Sequence, residues 1–119
     1  MVASCYKDLI VWQRAMDVVK CVYGIVKLLP KDELFALSSQ MRRAAISIPS
    51  NIAEGQARNS SREFNNFLSV AKGSAAELET QLLLCVEIGY CEEKDIFKAI
   101  ALIAETVKMI NAIQTKIGD

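Results

Sequence analysis

The chain has 119 residues, 52 % of them apolar and 24 % charged, with 14 basic and 14 acidic side chains and no histidine. A single core serves a chain of this size, so one domain spanning 1–119 is expected, and the apolar content excludes a disordered chain. Zero net charge excludes attraction to nucleic acid by bulk charge and leaves only a local basic face.

That charge is unevenly spread. Residues 1–39 carry five bases and four acids (+1), residues 40–76 five and two (+3), and residues 77–119 four and eight (−4). Such a split suits either a basic surface for a partner or self-association, in which the basic middle of one copy meets the acidic end of another. Cys5, Cys21, Cys85 and Cys91 have no CxxC spacing, so neither a metal nor any other cofactor is expected. No signal peptide is recognised ahead of the first helical pattern, and Cys21 and Cys85 sit in apolar helical patterns as small buried hydrophobes. A reducing cytoplasm is the expected compartment. No apolar run reaches the ~20 residues of a membrane span.

From Lys7 to Leu29 the apolar residues Leu9, Trp12, Met16, Val19, Tyr23 and Val26 recur at steps of three and four, the period of one helix face. That spacing places Trp12 and Tyr23 in the core or an interface. Pro30 stops the first helix, and Asp32 is positioned to cap the next one.

The second helical pattern starts near Glu33 or Leu34 and runs through Leu37, Met41, Ala44, Ala45 and Ile48 to Pro49. Proline removes a backbone donor and clashes with the carbonyl four residues back, at about 3 kcal/mol in an unbroken helix. The helix is expected to kink or restart there, with Ser47 capping the restart and Pro49 in its first turn. Asn51 and Glu54 share a face and could bond the backbone groups that Pro49 frees; Gly55 reads as the stop.

Ser60 and Glu63 match a capping box, so a third helix starts near Ser61. Its stripe runs from Phe64 through Leu68, Ala71, Ala75, Leu78 and Leu82 to Val86, and Gly89 ends it. The glycine of Gly73-Ser74-Ala75-Ala76, in a helix interior, suggests close approach of a neighbouring backbone. A fourth helix opens near Glu92 and Glu93, which suit the positive end of a helix dipole, and buries Ile96, Ala99, Ile103, Val107 and Ile110. Short connections make consecutive helices antiparallel neighbours. The fold class is therefore all-α, an antiparallel up-down-up-down four-helix bundle with a Pro-kinked second helix.

Without histidine the usual proton shuttle near neutral pH is missing, and no nucleophile or metal spacing replaces it, so the protein is expected not to be an enzyme. The signal of interest is instead Gln40 to Arg62, which holds four of the five arginines. Arg42, Arg43, Arg58 and Arg62, with Lys72 on the third helix, are the candidate nucleic-acid contacts, through phosphate. Adjacent residues diverge by about 100° around a helix, so Arg42 and Arg43 cannot form one clamp alone. Ion pairing within or between subunits, to acids such as Glu77, Glu79 or Glu87, is the competing use of these arginines. Ser47, Pro49, Asn51, Glu54 and Gly55 form the structural part of the segment.

YKDLIVWQRAMD, QMRRAAISIPSNIAEGQAR, EFNNFLSVAKGSAAELETQL and IGY together resemble the bacterial four-helix-bundle proteins encoded in intervening sequences of large-subunit ribosomal RNA genes. The accessory variability determinant proteins of diversity-generating retroelements are similar to the same group. The resemblance is clearest from Tyr6 to about Tyr90, and SIPSNIAEG is its most specific block. It implies a homo-oligomer, a pentameric ring of bundles, with basic residues available to RNA or DNA. In the retroelement branch it implies a reverse transcriptase partner. It implies no enzymatic activity.

Overall fold

The computed structural model describes residues 5–118 and folds them into four α-helices: α1 over Ile10–Val26, α2 over Leu37–Gln56, α3 over Ser61–Ile88 and α4 over Glu93–Gly118. One-turn 3-10 helices at Tyr6–Asp8 and Lys31–Glu33 precede α1 and α2, and there is no strand among the described residues. Each helix packs against its neighbours in sequence and α1 closes the ring against α4, while the backbones of diagonal pairs stay more than 8 Å apart. This is the expected four-helix bundle, elongated to 44 × 24 × 20 Å.

Apolar side chains from all four helices make one core, in which Met41, Ile48, Ile52, Leu68, Leu78, Leu82 and Ile110 are the largest with no exposure. The stripes expected on α3 and α4 supply most of their share. Thr106, which the apolar pattern passed over, is also fully buried on α4, and its hydroxyl donates to the Leu102 carbonyl at 2.7 Å. Intrahelical bonding of this kind removes the cost of burying a hydroxyl.

The face of α1 differs from expectation. Val11, Ala15, Val18, Val22 and Ile25 enter the core, one helical position away from the expected stripe. Trp12, Met16 and Val19 are only half-buried, and Tyr23 is 43 % exposed. The helix carries two apolar stripes of the same period, and the bundle takes the one with smaller side chains, which lets its neighbours approach.

The start of α2 also differs. Asp32 does not cap it; Glu33 Oε1 accepts from the Leu37 N–H at 3.3 Å. The helix runs without interruption through Pro49, so it does not restart, and Ser47 is not a cap. Gly55 is inside the helix rather than its stop, because Ala57 closes the last turn on the carbonyls of Ala53 and Gly55.

Both ends of α3 follow the sequence. Ser60 Oγ accepts from the Glu63 N–H at 3.1 Å, and Gly89 at φ 94° takes the left-handed closing position. The Tyr90 N–H donates back to the Cys85 carbonyl at 2.9 Å, the longer bond of a Schellman ending. Tyr90 then ties the α3–α4 turn to the α1–α2 turn, its hydroxyl donating to Glu33 Oε2 at 2.6 Å. We call this the tied end of the bundle.

Candidate nucleic-acid and assembly surfaces

The SIPSNIAEG block lies along the seam between α2 and α3. Ser47, Asn51 and Gly55 are spaced by four, so they stack on one side of α2. Ser47 Oγ is 2.8 Å from Ser74 Oγ of α3, and Asn51 Nδ2 donates to Ser47 Oγ at 2.9 Å and to the Ser47 carbonyl at 2.8 Å. The compensating donor expected near Pro49 is thus present, but it reaches the carbonyl of Ser47 and not that of Ala45, which Pro49 deprives of its donor. Glu54 does not bond the backbone at all; it accepts from Arg58.

One turn on, Gly55 is where the two helices come closest. A Cβ on Gly55 would lie 2.7 Å from Phe67 Cβ and 3.0 Å from Phe64 Cδ1. The close approach expected at Gly73 is absent, since a Cβ there would meet nothing within 4 Å. The signature block is therefore a packing device in which hydroxyl, amide and hydrogen replace bulk on one helix stripe.

The arginines flank this seam without forming one patch. Arg42 and Arg58 lie about 24 Å apart along α2 at 1.5 Å per residue. Arg42 Nη2 donates to the Leu34 carbonyl at 3.4 Å, which carries its charge toward the tied end. Arg43 lines a groove with Gln40, Ser47, Ser74 and Glu77, and is itself exposed with no hydrogen bond or ion pair.

Arg58 is largely occupied within the chain. It donates to Glu54 Oε2 at 3.2 Å, lies 3.9 Å from Glu63 Oε2, and its guanidinium sits 5.0 Å from the centre of the Phe67 ring. These contacts lock the α2–α3 turn. Arg62 is exposed and unpaired at the start of α3. Lys72 Nζ donates to Asn111 Oδ1 at 3.0 Å in a polar groove between α3 and α4, where an amide leaves its charge uncompensated.

Reactive groups are few. Burial first, then the nearby Cys91 and Glu33, push the Cys85 thiol up to about 11, and its Sγ rests 3.6 Å from Met41 Sδ in the core. Burial and the adjacent Asp95 also raise Cys91. Neither supplies a thiolate near neutral pH. Cys85 is buried as expected, whereas Cys21 is only half-buried, and all four cysteines are free. Among the described residues no three His, Cys, Asp or Glu side chains come together as a metal site, and no helix is long and apolar enough to cross a membrane.

What the sequence pattern missed is apolar surface. The displaced stripe of α1 joins α2 in a shallow groove lined by Tyr6, Trp12, Met16, Val19, Ile46 and Pro49, with Tyr6 packed edge-on against Trp12 at 5.3 Å. On the opposite side of the ring, Leu83, Val86, Ile100 and Phe97 line an open groove between α3 and α4 together with Glu87 and Glu93, and Phe97 is 74 % exposed. The signal for the first surface was in the sequence, as the second apolar stripe on α1.

The comparisons with known proteins agree with this architecture. No curated protein matches the chain. Among solved structures, a protein of unknown function from the S23 ribosomal protein family of Bacteroides thetaiotaomicron VPI-5482 superposes with a TM-score of 0.80 at 25 % identity, over 87 % of this chain and 97 % of that one. The profile of the family described as "23S rRNA-intervening sequence protein" matches residues 7–112. The four-helix bundle, the SIPSNIAEG seam and a match over almost the whole chain lead to one assignment: this protein belongs to the 23S rRNA-intervening sequence protein family.

Proposed function

We propose that the protein is a non-enzymatic, cytoplasmic homo-oligomer, five bundles in a ring, that associates with RNA or DNA through the phosphate backbone. The observation that carries this reading is the coexistence of unpaired Arg43 and Arg62 with two apolar outer faces on one small bundle. A lone bundle presents these two arginines far apart, whereas an assembly repeats each of them at regular intervals, which is how a neutral chain can build a local basic face. The family description, tied to 23S ribosomal RNA, makes RNA the first ligand to test.

The test is the binding of labelled single-stranded RNA and duplex DNA at about 50 mM and 200 mM salt, where phosphate contacts weaken steeply. Arg43→Ala/Arg62→Ala should lower the affinity and reduce the salt slope by about 0.7 per lost contact on a single strand. Arg58→Ala should lower it less, since Arg58 is held by Glu54 and Glu63. Absence of binding at low salt rejects nucleic acid as the ligand. It would favour the second reading, a structural oligomer, for which the internal bonding of Arg42 and Arg58 is the supporting observation.

A further inference from the structure

The groove between α2 and α3 holds two opposite charges that do not meet. Arg43 lines it from α2 and Glu77 from α3, and neither forms an ion pair. A guanidinium and a carboxylate that share a groove and stand apart leave room for a group that bonds both. The groove encloses about 390 Å³, within the roughly 300–1,000 Å³ of small-ligand sites. Its floor is polar too, with Ser47 Oγ 2.8 Å from Ser74 Oγ. In the ring of helices it lies between the α1–α2 and α3–α4 faces, so covering those two faces leaves it open.

A second observation lies in the α3 wall. Gln81, one turn beyond Glu77, is 6 % exposed, and its Nε2 donates to Glu77 Oε2 at 3.4 Å. Its Oε1 is buried without a hydrogen-bond partner, a desolvation cost that a donor would remove. Turning the terminal amide about its last bond exchanges the two atoms and sets Oε1 beside the Glu77 carboxylate. Neighbouring oxygens of this kind repel unless donors lie between them. The α3 side therefore asks for adjacent N–H groups, while Arg43 on the α2 side offers a planar fork of donors to acceptors.

Among the nucleobases, guanine matches this order. Its N1–H and N2 amino group are adjacent donors, and O6 and N7 follow them as acceptors for arginine. Adenine puts an acceptor, N1, where the carboxylate needs a donor; cytosine has one amino group beside an acceptor, and uracil one N–H between two carbonyls. Resting on the nucleic-acid association proposed above, we infer that the α2–α3 groove is a site for an unstacked guanine base. Glu77 accepts from N1–H and from the N2 amino group, Gln81 Oε1 accepts the second N2 hydrogen, and Arg43 donates to O6 and N7. A guanidinium has five N–H donors, so Arg43 keeps some for a phosphate.

The experiment measures the affinity of the full chain, in about 50 mM salt, for labelled oligouridylate and for the same RNA with one central guanosine, inosine or adenosine. Guanosine should tighten binding about fivefold or more over uridine and adenosine, the worth of one well-formed base contact. Inosine, which lacks the N2 amino group, should lose most of that gain. Glu77→Gln, at an exposed position, removes a negative charge, so it should bind oligouridylate no more weakly than the wild type and yet lose the guanosine preference. Gln81→Met should bind the guanosine and inosine RNAs equally. Titration with guanosine monophosphate separates a base within a strand from a free nucleotide: binding that is lost in Glu77→Gln supports the site with the free nucleotide as a source. Equal affinity for all the RNAs without binding of the nucleotide, or a guanosine preference that survives Glu77→Gln, overturns the guanine site alone. If no RNA binds while the nucleotide does so through Glu77, nucleic-acid association falls and the site stands; if neither binds, both fall.

Discussion

Gly55 and Gly73 are both interior helix positions, and the structure gives replacement by alanine opposite signs at the two. At Gly73 the new methyl group meets open space, so only the helix propensity acts, a gain of about 1 kcal/mol. At Gly55 the same gain is available, but the methyl carbon would stand 2.7 Å from Phe67 Cβ, an atom fixed by its own backbone. The helices must separate locally, and overpacking of this sort costs about 1–3 kcal/mol. The movement also strains the stacking of Arg58 on Phe67, which places the cost at the upper end. Gly55→Ala should therefore lose about 1–2 kcal/mol net, and Gly73→Ala should gain up to about 1 kcal/mol. In a domain of this size these amounts are about 4 °C per kcal/mol. Thermal unfolding by circular dichroism, with both variants and the wild type at one protein concentration, reads the difference. A Gly55→Ala protein that melts above the wild type would refute the claim that α2 and α3 touch through this residue.

Two further outcomes follow from polar groups. Gln81 is buried in α3 and its Oε1 has no hydrogen-bond partner, so Gln81→Met, of similar volume, should raise stability by about 1 kcal/mol; a loss in urea unfolding would show that the amide is satisfied. The bond to Glu33 is the first cause of the raised Tyr90 pKa, and the phenol must stay protonated to donate. Because the folded value lies above the unfolded one, the contribution is complete below the ordinary value of 10.0 and is lost as pH rises through the raised value. Stability measured across that alkaline range should fall more for the wild type than for Tyr90→Phe, and parallel curves would contradict the assignment.

The helices were legible in the sequence because their signals are local. Ser60 with Glu63, and Gly89 with Tyr90, settle the ends of α3 within a few residues of chain. The errors came where the deciding partner is distant in sequence. Whether a helical glycine accommodates a neighbour depends on which helix lies over it, and only the packed bundle shows that α3 covers Gly55 and leaves Gly73 open. Pro49 illustrates the same limit. Its intrinsic cost argues for a kink or a restart, and the restart does not occur, because Pro49 is buried in a continuous helix, so tertiary packing outweighs about 3 kcal/mol of local preference. Among the site residues, the sequence located the arginines but could not assign their partners. Arg58 differs from Arg62 because Glu54 stands four residues before it and Phe67 projects from the next helix.

The displaced face of α1 bears most directly on function. Two apolar stripes, Val11-Ala15-Val18-Val22 and Trp12-Met16-Val19-Tyr23, share one period, so periodicity identifies a helix without ranking its faces. Side-chain size ranks them. The ring of four helices admits the smaller stripe at its crowded centre, as it admits Ala44, Ala45, Ala71, Ala75 and Ala99 on the other helices. The larger stripe is left at the outside, with Trp12 and Met16 half-buried and Tyr23 exposed. A helix that is apolar on two sides has two faces that gain by being covered, and the bundle covers one of them fully. The second stripe of α1 is the surface for which the proposed self-association supplies a cover.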